Sequence, residues 1–199
     1  MTIGNSGRRI ARICVYCGSS KGARPIYRET AAELGKELAK RGIGLVYGGA
    51  QIGVMGAVAE GARSAGGDVI GVIPETLMIK EVAHTGLSDL RVVPTMHDRK
   101  AMMAELADGF VALPGGCGTF EELFEVITWA QLGIHGKPCA ILNIEGYFAP
   151  LIAMLDQGVR ERFIRPDHRA LLLVHTTIPE MLEAMESYRS TPTEKWVDI

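Results

Sequence analysis

The chain has 199 residues, of which 47% are apolar and 22% charged, with a formal net charge of −2. That length suits one domain with a single core. The near-balance of charge gives no electrostatic reason to expect a nucleic-acid partner. No stretch is long and apolar enough to read as a membrane span, and four cysteines do not make a disulfide framework.

Residues 1–8 read as an extension. Arg8-Arg9 stands ahead of the apolar run Ile10–Tyr16, a superficial likeness to an export signal. The run is short, contains Arg12 and leads into Gly18-Ser19-Ser20, so it reads as a first strand and the protein as cytoplasmic. Cys14 and Cys17 fit Cys-x-x-Cys, but residues three apart on a strand face opposite sides. A shared metal or redox pair is therefore not expected there. The five histidines lack ligand spacing, so no metal site is expected.

Further strands are predicted at Gly44–Tyr47, Val69–Ile73, Leu90–Val93, Gly109–Leu113, Pro138–Leu142 and Leu171–Val174. Helices are predicted at Pro25–Lys40, Val54–Ala65, Met96–Ala107, Thr119–Leu132, Tyr147–Gln157 and Ile178–Tyr188. Gly109-Phe110-Val111-Ala112-Leu113 is apolar on both sides of the alternation, as in a strand covered by helices on both faces. The β–α alternation predicts an α/β fold, a doubly wound parallel sheet in a single domain over residues 9–189. Residues 190–199 read as a loose polar tail in which Trp196 is the one docking candidate.

In such sheets ligands bind beyond the carboxyl ends of the strands. Three junctions there are small and Gly-rich: Cys17–Gly22, Tyr47–Gly53 and Pro114–Thr119. The first contains Gly18-x-Ser20-x-Gly22, the serine-hydrolase elbow pattern. It follows the first strand, however, which leaves no upstream loop for an oxyanion donor, and a ligand contact from Ser19 or Ser20 suits it better than a nucleophile. The second is not Gly-x-Gly-x-x-Gly, and the strand before it ends without an acid for a ribose, which argues against NAD. The third has two readings. It is a phosphate cradle made by the N–H groups of a helix start, or it is a tight turn closed by a capping box, Thr119 at the N-cap and Glu122 at N3. Arg99 and Lys100 fall near the start of the helix capped by Thr95, where cations oppose the helix dipole. A negatively charged ligand at that edge would account for both.

Tyr16-Cys17-Gly18-Ser19-Ser20, Gly48–Gly56, Gly71–Pro74, Met96-His97-Asp98-Arg99-Lys100 and Pro114–Glu122, followed by Ile127–Gly133, resemble the LONELY GUY (LOG) family in order and spacing. The resemblance runs from about Ile10 to Tyr188. It implies a Rossmann-like fold, usually in a homodimer. The implied activity is a metal-free and cofactor-free hydrolysis of the N-glycosidic bond of cytokinin riboside 5′-monophosphates, which yields a free adenine-type base and ribose 5-phosphate. By the same resemblance Arg99 and Glu122 match the catalytic pair. Glu81, Lys100, Gly116, Cys117, Gly118, Thr119, Phe120, Glu121 and Thr128 match nucleotide-contacting positions, to which the Gly-rich turns add Gly49 and Gly115. Related sequences have carried a lysine decarboxylase label, for which no pyridoxal-phosphate lysine context is visible. The main alternative is a module that binds or senses adenine nucleotides without cleaving them.

The chemistry of such a cleavage, through a cation-like sugar, sets the expected division of labour. The N–H groups of Gly116–Thr119 fix the phosphate. Glu122 faces the sugar and offsets its developing charge. Arg99 stabilises the departing base.

Overall fold

The computed structural model describes residues 10–78, 83–84 and 86–190. Seven described strands form one sheet: β1 (Arg12–Tyr16), β2 (Gly44–Tyr47), β3 (Val69–Pro74), β4 (Asp89–Val93), β5 (Gly109–Ala112), β6 (Cys139–Leu142) and β7 (Leu172–His175). Their order is β4-β3-β2-β1-β5-β6-β7, and every neighbouring pair is parallel. Between them run α1 (Ile26–Lys40), α2 (Gly53–Ser64), α3 (Glu75–Met78), α4 (Met96–Leu106), α5 (Cys117–Gln131), α6 (Ala149–Arg160) and α7 (Pro166–Arg169), and α8 (Ile178–Ser187) follows β7. No helix among the described residues is long and apolar enough to cross a membrane.

The sheet is covered on both faces, as its apolar strands require. Ile13, Val15, Leu45, Tyr47, Val111 and Leu113 point to the side where Leu34 and Leu38 of α1, Val58 of α2 and Met181 of α8 pack. Cys14, Tyr16, Val46, Phe110 and Ala112 point to the other side, against Met103 of α4, Leu123 and Val126 of α5 and the partly buried Leu155 of α6. Cys14 and Cys17 thus lie in opposite cores, and all four cysteines are free.

Small residues set how closely two of these helices approach. In α1 a Cβ on Gly35 would sit 2.2 Å from the Val58 carbonyl oxygen, and in α2 one on Gly61 would sit 2.1 Å from that of Ala32. Main chain meets main chain at this crossing, which no longer side chain would permit.

The predicted elements are present, β2 with both ends as predicted and the others with ends shifted by at most three residues. Strand β1 starts at Arg12 rather than Ile10 because the Ala11 and Arg12 amides donate to the Asp108 carboxylate, at 2.9 and 3.1 Å, instead of to a neighbouring strand. The four-residue helices α3 and α7 and a single 3-10 turn at Ile144–Gly146 were not predicted. Segments so short carry no hydrophobic period. Trp196 lies outside the described residues.

Because a main-chain carbonyl blocks the space at Gly61, Gly61→Val should separate α1 from α2. Equilibrium urea unfolding is expected to show a loss of at least about 1–3 kcal/mol relative to the wild type.

Candidate active site

The chain leaves β1 toward one face of the sheet and β5 toward the other, although the two strands are neighbours. The loops beyond them diverge, and this reversal is where open parallel sheets form their crevice. A cavity of about 670 Å³ opens there. It is lined by Cys17–Ser20, by Pro114–Thr119, by Arg99 and Glu122, and by the apolar or aromatic Tyr27, Met55, Leu77, Met96 and Tyr147.

Three of the helix starts at this edge, those of α2, α4 and α5, differ. The first amides of α2 are already engaged: Val54 and Met55 donate to the Gly18 carbonyl at 3.0 and 3.1 Å. The start of α4 is closed by a capping box, with Thr95 Oγ1 accepting from the Asp98 amide at 3.1 Å and Asp98 accepting from the Thr95 amide at 3.2 Å. Helix α5 has neither. Its N-cap is Gly116, in an extended conformation, with no side-chain cap. Its first-turn amides, on Cys117, Gly118 and Thr119, have no partner within the helix, and they border the cavity.

The carbonyls of the same turn are held by other donors. Pro114 accepts from the Gly18 amide at 3.1 Å, Gly115 from the Tyr147 hydroxyl, and Gly116 from the Phe120 amide at 3.1 Å. The turn therefore presents donors to the cavity and few acceptors, which suits an anion. The glycines also divide. A Cβ on Gly115 would lie 2.1 Å from Thr119 Oγ1, whereas a Cβ on Gly116 or Gly118 would meet nothing within 4 Å. Packing accounts for Gly115. Packing does not account for the other two, which leave open space beside the first-turn amides.

The capping box expected of Thr119 and Glu122 does not form. Helix α5 begins at Cys117, two residues before the predicted Thr119, which places Thr119 in the first turn and Glu122 in the second. Glu122 instead meets Arg99, with Nη1 donating to Oε1 at 3.2 Å. Their side chains are 10% and 7% exposed. Arg99 is seated by further acceptors: Nε donates to the Val72 carbonyl at 3.1 Å, Nη2 to the Gly48 carbonyl at 3.4 Å, and Nη1 lies 3.3 Å from Met96 Sδ. Gly48 directly follows the carboxyl end of β2, and Val72 lies within β3 just past Gly71, the last residue paired with β2, so main-chain carbonyls as well as Glu122 compensate this cation near a helix start. Burial pushes the Glu122 carboxyl up to about 7, against the opposing pull of Arg99.

Lys100 points elsewhere. Its Nζ donates to Glu121 and, at 3.0 Å, to Glu125, both on α5, and it does not border the cavity. Carboxylates of the protein thus answer its charge, and no ligand is needed to explain it. Ser19, Ser20, Gly115, Gly116, Cys117, Gly118 and Thr119 do line the cavity, together with Arg99 and Glu122. Gly49, Phe120, Glu121 and Thr128 do not. Gly49 is buried at φ 79°, so its glycine serves the backbone turn. Glu81 lies outside the described residues. Tyr27 and Tyr147, which meet edge-on at 5.7 Å, were not singled out from sequence. The β–α junction after β6 was the available signal for Tyr147. Among the described residues no histidine pairs with Ser20, and no cluster of three His, Cys, Asp or Glu stands close enough to hold a metal ion.

A raised carboxyl carries a pH signature. Ionising Glu122 costs more in the folded chain than in the unfolded one, so its contribution to stability is fully present below its ordinary value of 4.5 and is lost as pH rises through about 7. Relative to Glu122→Gln, the wild type should lose on the order of 2–3 kcal/mol between these limits. Denaturant midpoints of the two proteins at pH 5 and pH 8 measure the change, and a gap independent of pH would contradict it.

Comparison with known proteins agrees with this geometry. Residues 55–185 match the sequence family described as "Possible lysine decarboxylase". The chain is 53% identical over 180 residues to the probable cytokinin riboside 5′-monophosphate phosphoribohydrolase LOGL9 of Oryza sativa subsp. japonica, covering 90% of this chain and 79% of that protein. It is 51% identical over 185 residues to the phosphoribohydrolase LOG of the same plant, covering 93% and 76%. To LOG3 of Arabidopsis thaliana it is 48% identical, covering 90% and 84%. Among solved structures, the molybdenum cofactor binding protein of Rippkaea orientalis has a TM-score of 0.67 at 22% identity, over 90% of this chain and 98% of that one, a likeness of fold alone. With half its residues shared along nine-tenths of its length, the chain belongs to the LONELY GUY family of cytokinin riboside 5′-monophosphate phosphoribohydrolases.

Proposed function

We propose that residues 9–189 form a phosphoribohydrolase that cleaves the N-glycosidic bond of adenine-type nucleoside 5′-monophosphates, including N6-substituted ones. The products are the free base and ribose 5-phosphate. The observation that carries this reading is the buried Arg99–Glu122 pair in the wall of a cavity whose mouth holds the uncapped start of α5. A module that only binds nucleotide needs the amides and not the pair.

The phosphate takes the donors at Gly116–Thr119, where the helix start supplies partial positive charge, and Ser19 or Ser20 adds hydroxyl contacts. Glu122 stands five residues further along α5 than Cys117, roughly 7–8 Å along the axis. That spacing relieves the repulsion a first-turn carboxylate would feel and lets Glu122 face the sugar. As the bond between C1′ and the base nitrogen breaks, positive charge grows on the sugar. The Glu122 carboxylate offsets it and accepts the proton of the attacking water. Arg99 opposes the rise that burial imposes on Glu122, so that part of the carboxyl is ionised at neutral pH, and it is the fixed cation beside the charge that develops on the departing base. The cavity exceeds what a phosphate and pentose fill, and its apolar walls of Met55, Leu77 and Met96 suit an adenine and a substituent on it.

The residues present do not fit pyridoxal phosphate, which the decarboxylase description implies. That cofactor is held through a lysine, and no lysine lines the cavity among the described residues. Lys100 is committed to Glu121 and Glu125.

For the assembly we propose a cytoplasmic homodimer. The exposed Phe124, Leu132 and Ile134, on and just beyond α5, support a self-associating face.

Three outcomes are expected when release of free base is followed from AMP and from N6-isopentenyl-AMP. Glu122→Gln and Arg99→Ala each fold and lose about 10²–10³-fold in kcat; near-native turnover in either removes that residue from the mechanism. Gly118→Ala keeps the thermal midpoint but raises KM for the monophosphates, since its new methyl stands where the phosphate binds; an unchanged KM would move the phosphate elsewhere. The wild-type kcat/KM climbs with pH through about 7 to a plateau, as a working carboxylate at Glu122 demands.

A further inference from the structure

We infer that Gly48 is a positioning residue for Arg99: the lack of a side chain at the end of β2 is what seats the guanidinium against Glu122. A Cβ built on Gly48 would fall 2.1 Å from Arg99 Nη2 and 3.3 Å from Arg99 Cζ, with Met55 Sδ at 3.0 Å. These three nearest atoms all belong to side chains. The obstacle to a larger residue is thus the tip of Arg99 rather than the main chain.

Other glycines of this junction have different duties. Gly49 and Gly53 take positive φ, 79° and 66°, which other residues rarely adopt. Gly48 does not, so an alanine fits its backbone. Gly48 is buried and does not border the cavity, so no direct contact with substrate explains it. It does touch Arg99 twice over: its bare Cα leaves the space that Nη2 fills, and its carbonyl accepts from that same nitrogen. With Nε fixed on the Val72 carbonyl, two of the three guanidinium nitrogens are committed to main-chain carbonyls, and Nη1 is aimed at Glu122. A methyl group on residue 48 would push Nη2 off its acceptor and turn Nη1 away from Glu122. Small displacements of such a group are expensive for catalysis, about 10²-fold for one of 1 Å.

The inference rests on the proposed catalytic role of Arg99, and the experiment separates the two. Gly48→Ala, Arg99→Ala and the double variant are compared by thermal unfolding, by kcat and KM for AMP, and by ¹³C NMR titration of the Glu122 carboxyl, assigned from its absence in Glu122→Gln. Gly48→Ala should fold, lose 10–100-fold in kcat with KM changed less than threefold, and shift the Glu122 midpoint upward in the same direction as Arg99→Ala. In the Arg99→Ala background the glycine substitution should cost less than twofold, because its target has gone. Losses that multiply, or a Glu122 titration unmoved by Gly48→Ala, would overturn the inference. Should Gly48→Ala fail to fold, removing the Arg99 side chain must restore folding; a double variant that also fails to fold would equally overturn it. If Arg99→Ala alone proves active, the catalytic reading of Arg99 falls, and the NMR titration still decides what Gly48 does.

Discussion

A guanidinium and a carboxylate lie 3.2 Å apart, each about nine-tenths removed from water, and much of this structure is arranged around keeping them there. Taking two charges out of solvent costs several kcal/mol per ion, and their mutual attraction repays this only with good geometry and further hydrogen bonds. Here the further bonds come from the main-chain carbonyls of Val72, within β3, and of Gly48, just beyond β2, where the pairing of these two adjacent strands has ended. Arg99 can occupy that place because α4 starts beside it, and Glu122 can reach Arg99 because α5 starts across the divergence between β1 and β5. The pair is thus a product of topology. It contributes little to stability by the usual measure, and its place in a ligand-sized cavity gives it a different purpose.

Much of this organisation is legible in the residues. The all-apolar runs of β2, β3 and β5 announce a sheet buried on both faces, and the Gly-rich junctions announce its ligand edge. Arg99 and Glu122 stand out through the motif they share with a known family. What spacing does not carry is direction. Arg99 and Lys100 are adjacent and equally cationic, yet one turns into the cavity and the other onto Glu121 and Glu125. Neighbours on a helix point about 100° apart, and only the packed partner decides which is inward. The Thr119–Glu122 pattern misled for a related reason. A capping box is a local signal, and it was displaced when Gly116 took an extended conformation and the helix began two residues sooner. Tyr27 carries no such signal, since an isolated aromatic residue has no period or spacing that marks a cavity wall, and Tyr147 is marked only by its place at the β–α junction after β6.

The likeness to molybdenum cofactor binding proteins separates fold from chemistry. A doubly wound sheet with a crevice at its point of reversal hosts many unrelated ligands and chemistries. The hydrolase chemistry proposed for this frame is assigned to a local feature, one buried carboxyl beside one buried guanidinium. The acid here is desolvated enough to be raised to about 7, and its cationic neighbour is held rigidly enough to oppose that rise.

The Lys100 ammonium ties α4 to α5 through Glu121 and Glu125, one turn apart on the facing helix. It is 8% exposed, while Glu121 is 56% exposed, so the tie is sheltered at one end and wet at the other. The two helices that carry Arg99 and Glu122 are consequently yoked outside the cavity as well as within it. The relative placement of Arg99 and Glu122 is therefore held by two separate sets of ion pairs, one in the cavity wall and one outside it.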